Sequence, residues 1–275
     1  MAGLQTSFVD TRVGKAQVQR GGSGPPVVYL HSATGEGPGL IFLEELADRF
    51  DVVAPMFCGF GESEGIEQID DMEDATFHLL DLFDRLALVP GGGAPAVVGL
   101  SLGGWMAAEL ATRYPERVSK LVLVNPVGNY IPGAEVKDIF GRSPGEMAAD
   151  LFWDQSHPMA QMMHAFDDFR SDPAQFGDLT FDMIKPVVQT LAATARLGWD
   201  PYLHNPKLRA RLYRVTAPTL VVRGAHDTLV PPAHAELYAA EIPGAGLVEV
   251  PDSAHLVPLE KPAELASLVG DFLSS

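Results

Sequence analysis

The chain has 275 residues, 47% of them hydrophobic and 20% charged, which supplies enough apolar side chain for a sizeable core and argues against a disordered polymer. Its 36 acidic and 19 basic residues leave a formal charge of -17, a field that repels nucleic-acid phosphates and anionic lipid headgroups, so small-molecule rather than nucleic-acid partners are expected. The one cysteine, Cys58, can form no internal disulfide, the first residues lack a signal core, and no apolar run reaches the roughly 20 residues that cross a bilayer, so a cytoplasmic protein is expected.

In chain order, SFVD and KAQVQR predict two antiparallel edge strands joined by the turn DTRVG. VVYLH, apolar without interruption up to His31, predicts a central strand buried on both faces. GLIFLEELADRF predicts a helix and DVVAP a short strand; DDMEDATFHLLDLFDRLAL predicts a helix with Met72, Ala75, Leu79, Leu82, Phe83 and Leu86 along one face. GGGAP lacks the Lys followed by Ser or Thr that a phosphate-cradling loop requires, and reads as a plain loop. AVVGL, KLVLVNPVG, APTLVVRGAHD and GLVEVP are further strands, while SLGGWMAAELATRYPERV and PAELASLVGDFL are helices, the last opened by Pro262. This alternation predicts an α/β fold with a mostly parallel central sheet and flanking helices. Residues 129–212 exceed what a βα connection needs and are rich in helix formers. They predict an inserted helical lid over the carboxyl ends of the strands, with 1–128 and 213–275 as the core.

The switch from strand to helix falls at Ser101, inside Gly99-Leu100-Ser101-Leu102-Gly103, a G-x-S-x-G pattern. A serine hydroxyl is a poor nucleophile at neutral pH, and needs a base to take its proton and a carboxylate to hold that base in the right tautomer. Asp227 follows the TLVVRG strand and His255 follows LVEVP, giving the chain order Ser, Asp, His. With YLHSATGEG, GFGES, GLSLGGW, RGAHDTLVPP and DSAHLVPLEKP, the sequence resembles the α/β-hydrolase superfamily over nearly the whole chain outside the insertion. The resemblance implies an α/β-hydrolase fold with residues 129–212 as cap, Ser101 as nucleophile, Asp227 as orienting acid and His255 as base. It also implies an oxyanion hole made by the backbone N–H groups of Leu102 and Ala33. The family's other location for the acid, the end of the preceding strand, holds Asn125. Two stretches depart from the family pattern. The usual His-Gly pair reads His31-Ser32, which bears on the backbone freedom of that loop. The common Asp-x-Pro-Gly-x-Gly-x-Ser reads Met56-Phe57-Cys58-Gly59-Phe60-Gly61-Glu62-Ser63, which predicts a reshaped surface turn. His31 is expected to fix its own loop through hydrogen bonds, and His226 to be a turn residue.

A serine at the elbow points to hydrolysis of an ester, lactone or related acyl compound through an acyl-enzyme. The carbon-carbon bond hydrolases of the same superfamily, which act on ring-cleavage dienoate diketones, resemble this chain in triad and cap. On that reading Arg196 pairs the substrate carboxylate, but those enzymes commonly carry a tryptophan where this chain has Leu256. A non-catalytic ligand-binding protein is a third reading, disfavoured because all three groups are present in order. Candidate substrate contacts are Trp153, Met163, Arg196 and Leu256. The Met and aromatic content of the insertion predicts an apolar, uncharged substrate. His157, His164 and His204 have no spacing that presents two ligands on one helical face, so no metal is expected, and the chemistry requires no cofactor.

Overall fold

The structure is a computed structural model that describes residues 3–37, 39–88, 93–171 and 181–275; part of the GGGAP loop lies outside the described residues. One sheet contains β1 (Gln5–Asp10), β2 (Lys15–Gly22), β3 (Pro26–Leu30), β4 (Asp51–Pro55), β5 (Ala96–Leu100), β6 (Leu121–Val124), β7 (Thr219–Gly224) and β8 (Gly246–Val250). Their spatial order is β1-β2-β4-β3-β5-β6-β7-β8. β2 runs antiparallel to β1 and to β4, and every other pairing is parallel. β1 alone is an edge at that end; β2, expected beside it at the rim, lies one strand in. The β-branched runs explain the rest, because Val28, Val53, Val97, Val122 and Val222 are fully buried, as parallel strands covered on both faces require.

Helices α1 (Ile41–Leu46), α2 (Met72–Arg85), α3 (Leu102–Arg113), α7 (Pro232–Glu241), α8 (Val257–Glu260) and α9 (Pro262–Ser274) flank the sheet. Helix α1 packs on α9, and α2 on α3. Met72, Ala75, Leu79, Leu82 and Phe83 are buried on α2, as their spacing predicts, and Asp71 caps the helix by accepting from the Glu73 and Asp74 N–H groups. The helix expected after β3 is shorter than GLIFLEELADRF suggests. Phe42, Leu43 and Leu46 are buried, and the chain then turns so that Phe50 is also buried ahead of β4.

Between β6 and β7 lie α4 (Pro144–Leu151), α5 (Pro158–Ser171) and α6 (Phe181–Gly198), followed by a 3-10 turn at Arg209–Arg214. Their ties to the rest of the chain reach the loops beyond the carboxyl ends of the strands. Leu151 C=O accepts from Leu256 N–H at 3.0 Å, Asp150 Oδ1 from Thr228 Oγ1 at 2.6 Å, and Thr194 Oγ1 donates to Ala33 C=O at 3.4 Å. After β4 the chain crosses over β3 to begin β5, so the sheet's topological switch lies between β3 and β5. Open α/β sheets bind ligands in the crevice beyond the strand ends at such a point. Residues 31 and 101, one past the ends of β3 and β5, flank it.

The Met56–Ser63 stretch corrects the expectation of a surface turn: Met56, Phe57, Cys58, Gly59, Phe60 and Ser63 are all buried. Ser63 Oγ donates to Met56 C=O at 2.8 Å and accepts from Gln17 N–H at 2.9 Å, which closes the turn against β2. Apolar Met56 and Phe57 belong to this site because the turn is packed beneath neighbouring segments. No helix among the described residues is long and apolar enough to cross a membrane.

Candidate active site

Ser101 joins β5 to α3 with φ 54 and ψ -110, a backbone conformation that costs an L-residue of order 1–3 kcal/mol and persists only where the surroundings enforce it. Those surroundings are visible. The Ser101 N–H donates to Val124 C=O at 2.9 Å, and its C=O accepts from Trp105 N–H at 3.0 Å and Val127 N–H at 3.3 Å. The flanking glycines are required by close approach: a Cβ on Gly99 would lie 2.3 Å from Gly103 O, and one on Gly103 would lie 2.1 Å from Leu30 O. The turn is thereby pressed against β3, and Ser101 is buried at 5% exposure. Leu102 is the first residue of α3, so its N–H is one that a helix leaves without an intrahelical acceptor.

Asp227 and His255 occupy the loops beyond β7 and β8 and meet through His255 Nδ1 and Asp227 Oδ2 at 2.8 Å. Both side chains are 2% exposed. The second carboxylate oxygen, Oδ1, accepts from the Leu229 and Val230 N–H groups at 2.9 Å each, which fixes the plane of the acid. A carboxylate only accepts, so the imidazole proton lies on Nδ1 and the lone pair on Nε2. That is the tautomer a general base needs.

Asn125, at the family's other acid position, contributes structurally to the site. Buried at the end of β6, it donates through Nδ2 to His255 C=O at 2.8 Å and Ala254 C=O at 3.2 Å, while Oδ1 accepts from Gly224 N–H at 3.0 Å. One amide thus ties the acid-bearing and histidine-bearing loops together. Its signal in the sequence was an asparagine ending an apolar strand, where a buried amide must find partners. Asp150 on α4, which no sequence motif marks, also reaches the acid loop. It takes Lys137 Nζ at 2.6 Å, an Arg142 ion pair and the hydroxyl of Thr228, the residue after Asp227.

Of the remaining sequence candidates, Trp153 and Leu256 lie at the acid and histidine loops, and Arg196 is bound elsewhere. Ala33 is half-buried on the loop after β3. Leu256 is 1% exposed, and its N–H bonds to Leu151 of α4, so it packs the histidine loop onto the insertion. Trp153 is half exposed and stacks on His226, with ring centroids 3.6 Å apart and planes at 12°. Met163 packs partly buried against the core. Arg196 is engaged away from the His255–Asp227 pair. It donates from Nε to Ile69 C=O at 2.6 Å, and from Nη2 to Glu67 C=O at 3.1 Å and Asp70 Oδ1 at 2.6 Å. It borders a groove of about 810 Å³ between α6 and residues 59–67, whose lining includes neither Ser101 nor His255.

His31 fixes its loop, as expected. Phe57 N–H donates to Nε2 at 3.0 Å, so Nδ1 carries the proton and donates to Ser32 C=O at 2.7 Å. Burial pushes the pKa of this ring down and keeps it neutral. Cys58 is buried too, and burial pushes its thiol up to about 12.

Residues 25–262 match the sequence model of the family described as alpha/beta hydrolase fold. The chain is 29% identical over 290 residues to a 2-hydroxymuconate semialdehyde hydrolase of Pseudomonas sp. (strain CF600), covering 99% of this chain and 92% of that one. It is 27% identical over 262 residues to a pimeloyl-[acyl-carrier protein] methyl ester esterase of Nitrosomonas europaea, covering 91% of this chain and 96% of the relative. In structure it resembles a meta-cleavage product hydrolase from Pseudomonas fluorescens, with a TM-score of 0.78 at 19% identity over 98% of this chain and 97% of the other, a likeness of fold. The chain belongs to the α/β-hydrolase family.

Proposed function

We propose that this α/β-hydrolase cleaves a neutral carboxylic ester or lactone through an acyl-enzyme on Ser101, with residues 129–212 as the cap that selects the substrate. In this reading Ser101 Oγ attacks the acyl carbon while His255 Nε2 takes its proton. Asp227 holds the ring in that tautomer and stabilises the imidazolium. The tetrahedral oxyanion is met by the N–H groups of Leu102 and Ala33, which are peptide dipoles already in place when charge develops. His255 then protonates the leaving alkoxide, and water repeats the sequence on the acyl-enzyme. The observation that carries the reading is the conjunction of a serine held at φ 54 on the β5–α3 turn with a buried 2.8 Å His255–Asp227 pair beyond the ends of β7 and β8.

Carbon-carbon hydrolysis of a dienoate diketone is the second reading, favoured by the likeness to a 2-hydroxymuconate semialdehyde hydrolase over 99% of the chain. Such a substrate carries a carboxylate that needs a cation. Arg196, the residue expected to supply it, already holds Asp70 and two backbone carbonyls, which supports a neutral substrate instead. The test is hydrolysis of an ester chain-length series, a lactone and one dienoate diketone by wild type and Arg196→Ala, with fluorophosphonate labelling of Ser101. Each buried methylene is worth about 0.8 kcal/mol, so kcat/KM is expected to rise about fourfold per carbon, about fifteenfold per pair, until the pocket fills, whether or not Arg196 is present. A wild type inert to every ester but active on the dienoate overturns the ranking. A chain that fluorophosphonate does not label overturns the enzymatic reading altogether.

A further inference from the structure

Glu36 is half-buried on the loop after β3 and belongs to neither the nucleophile turn nor the acid–histidine pair. Its carboxylate takes four donors. Oε1 accepts from Ser32 N–H at 2.7 Å and Tyr29 O–H at 2.8 Å; Oε2 accepts from Ser32 Oγ–H at 2.6 Å and Thr34 Oγ1–H at 2.8 Å. A carboxylate offers about four lone-pair sites, so this one is saturated, and hydrogen bonds to an ionised acceptor are roughly twice as strong as neutral ones. Ser32 Oγ in turn accepts from Thr34 N–H at 3.0 Å. The two residues gripped in this way, Ser32 and Thr34, flank Ala33.

The peptide unit that carries the Ala33 N–H also contains the Ser32 C=O. That carbonyl is held by His31 Nδ1–H at 2.7 Å and by Gly35 N–H at 3.1 Å. In a planar trans peptide the N–H points opposite to the C=O, so fixing one fixes the other. We propose that Glu36 is the positioning residue of the oxyanion site, its carboxylate clamping Ser32 and Thr34 so that the Ala33 N–H is aimed at the substrate oxygen. This rests on the reading of Ser101 as nucleophile with Ala33 and Leu102 as oxyanion donors. The clamp also accounts for the serine that stands where the family's pattern has glycine, since both the N–H and the hydroxyl of Ser32 are used.

Positioning and simple charge change the rate in opposite directions. A carboxylate near a developing oxyanion repels it, so if Glu36 acted only through its charge, Glu36→Gln would speed the reaction. If it acts by positioning, Glu36→Gln slows it, because an amide has one acceptor oxygen and its NH₂ faces donors. Removing an oxyanion donor outright costs about 10²–10³ in kcat, so misaligning one is expected to cost about ten- to a hundredfold. The experiment measures kcat and KM on an ester, the affinity of a trifluoromethyl ketone transition-state analogue and fluorophosphonate labelling of Ser101, in wild type, Glu36→Gln and Thr34→Val, the last removing one donor should Glu36→Gln fold poorly. Expected are a fall in kcat with KM within about twofold, and loss of analogue affinity by the same factor as kcat, smaller in Thr34→Val. Unchanged or raised kcat, or unchanged analogue affinity in folded variants, overturns the positioning role while a labelled Ser101 leaves the function reading standing. An unlabelled, inactive wild type overturns both.

Discussion

Replacing Asp227 with Asn alters one atom of the acid and forces a choice that the surrounding donors decide. In the wild type Oδ1 serves two N–H groups at 2.9 Å, and Oδ2 serves His255 Nδ1 at 2.8 Å. The amide has a single acceptor oxygen, and two N–H donors claim it at the Oδ1 position. The NH₂ then faces His255 and can only donate, so the imidazole must present a lone pair at Nδ1 and carry its proton on Nε2. That tautomer cannot take the proton of Ser101. Flipping the amide to escape would set NH₂ against the Leu229 and Val230 N–H groups in a site 2% exposed, and each buried polar group left unsatisfied costs about 1–3 kcal/mol. The expected loss in kcat is therefore about 10⁴-fold, the size known for the same change of tautomer in serine proteases. At 1.36 kcal/mol per decade this is about 5.4 kcal/mol of transition-state stabilisation. KM and the melting temperature should hardly move, because Asn matches Asp in shape. Steady-state hydrolysis of a p-nitrophenyl ester, with thermal unfolding followed by circular dichroism, measures both. A folded Asp227→Asn enzyme that keeps more than about a tenth of wild-type kcat, a thousandfold above the expected level, refutes the reasoning.

Ser101→Gly should abolish turnover yet raise stability by up to about 1 kcal/mol, since glycine relieves the strain at φ 54 at the cost of some chain entropy. Ser101→Ala, which keeps a Cβ, should not; a Gly variant melting no higher than the Ala variant counts against enforced strain. Stability should fall as pH drops below about 6.5, because burial holds His31, His78 and His234 below the ordinary imidazole value and the unfolded chain binds protons that the folded one refuses. Burial raises the pKa of Asp150, but hydrogen bonds from Lys137 and Thr228 and the charges of Lys137 and Arg142 outweigh this and lower it. Its contribution is accordingly present above about pH 4 and lost as pH falls through its folded value, and urea midpoints flat between pH 8 and 3 would contradict both effects. Cys58, with its thiol at about 12 and its side chain buried, should ignore a thiol reagent at pH 8 in the native protein and react once the chain is unfolded; rapid native labelling refutes the burial argument.

What the sequence determined by itself is local. Uninterrupted apolar runs marked the strands, the 3.6-residue spacing marked α2, and the G-x-S-x-G pattern marked the strand-to-helix turn at Ser101, because each of these is imposed by residues a few positions apart. The chain order Ser101, Asp227, His255 was legible in the same way, as residues standing just beyond three strands. Only the tertiary structure decided what met what. Met56–Ser63 reads as a surface turn, yet all of it but Gly61 and Glu62 is buried, held by β2 and by the histidine at the end of β3. Arg196 is a free cation on paper, but backbone carbonyls of Glu67 and Ile69 reach it from about 130 residues away in the chain, a contact no helical period encodes. Asn125 and Glu36 lie in recognisable stretches, but no motif states what their side chains bind. Their partners are carbonyls, amides and hydroxyls whose positions depend on strand register and loop path, and hydrogen-bond geometry of that kind exists only once the sheet has formed.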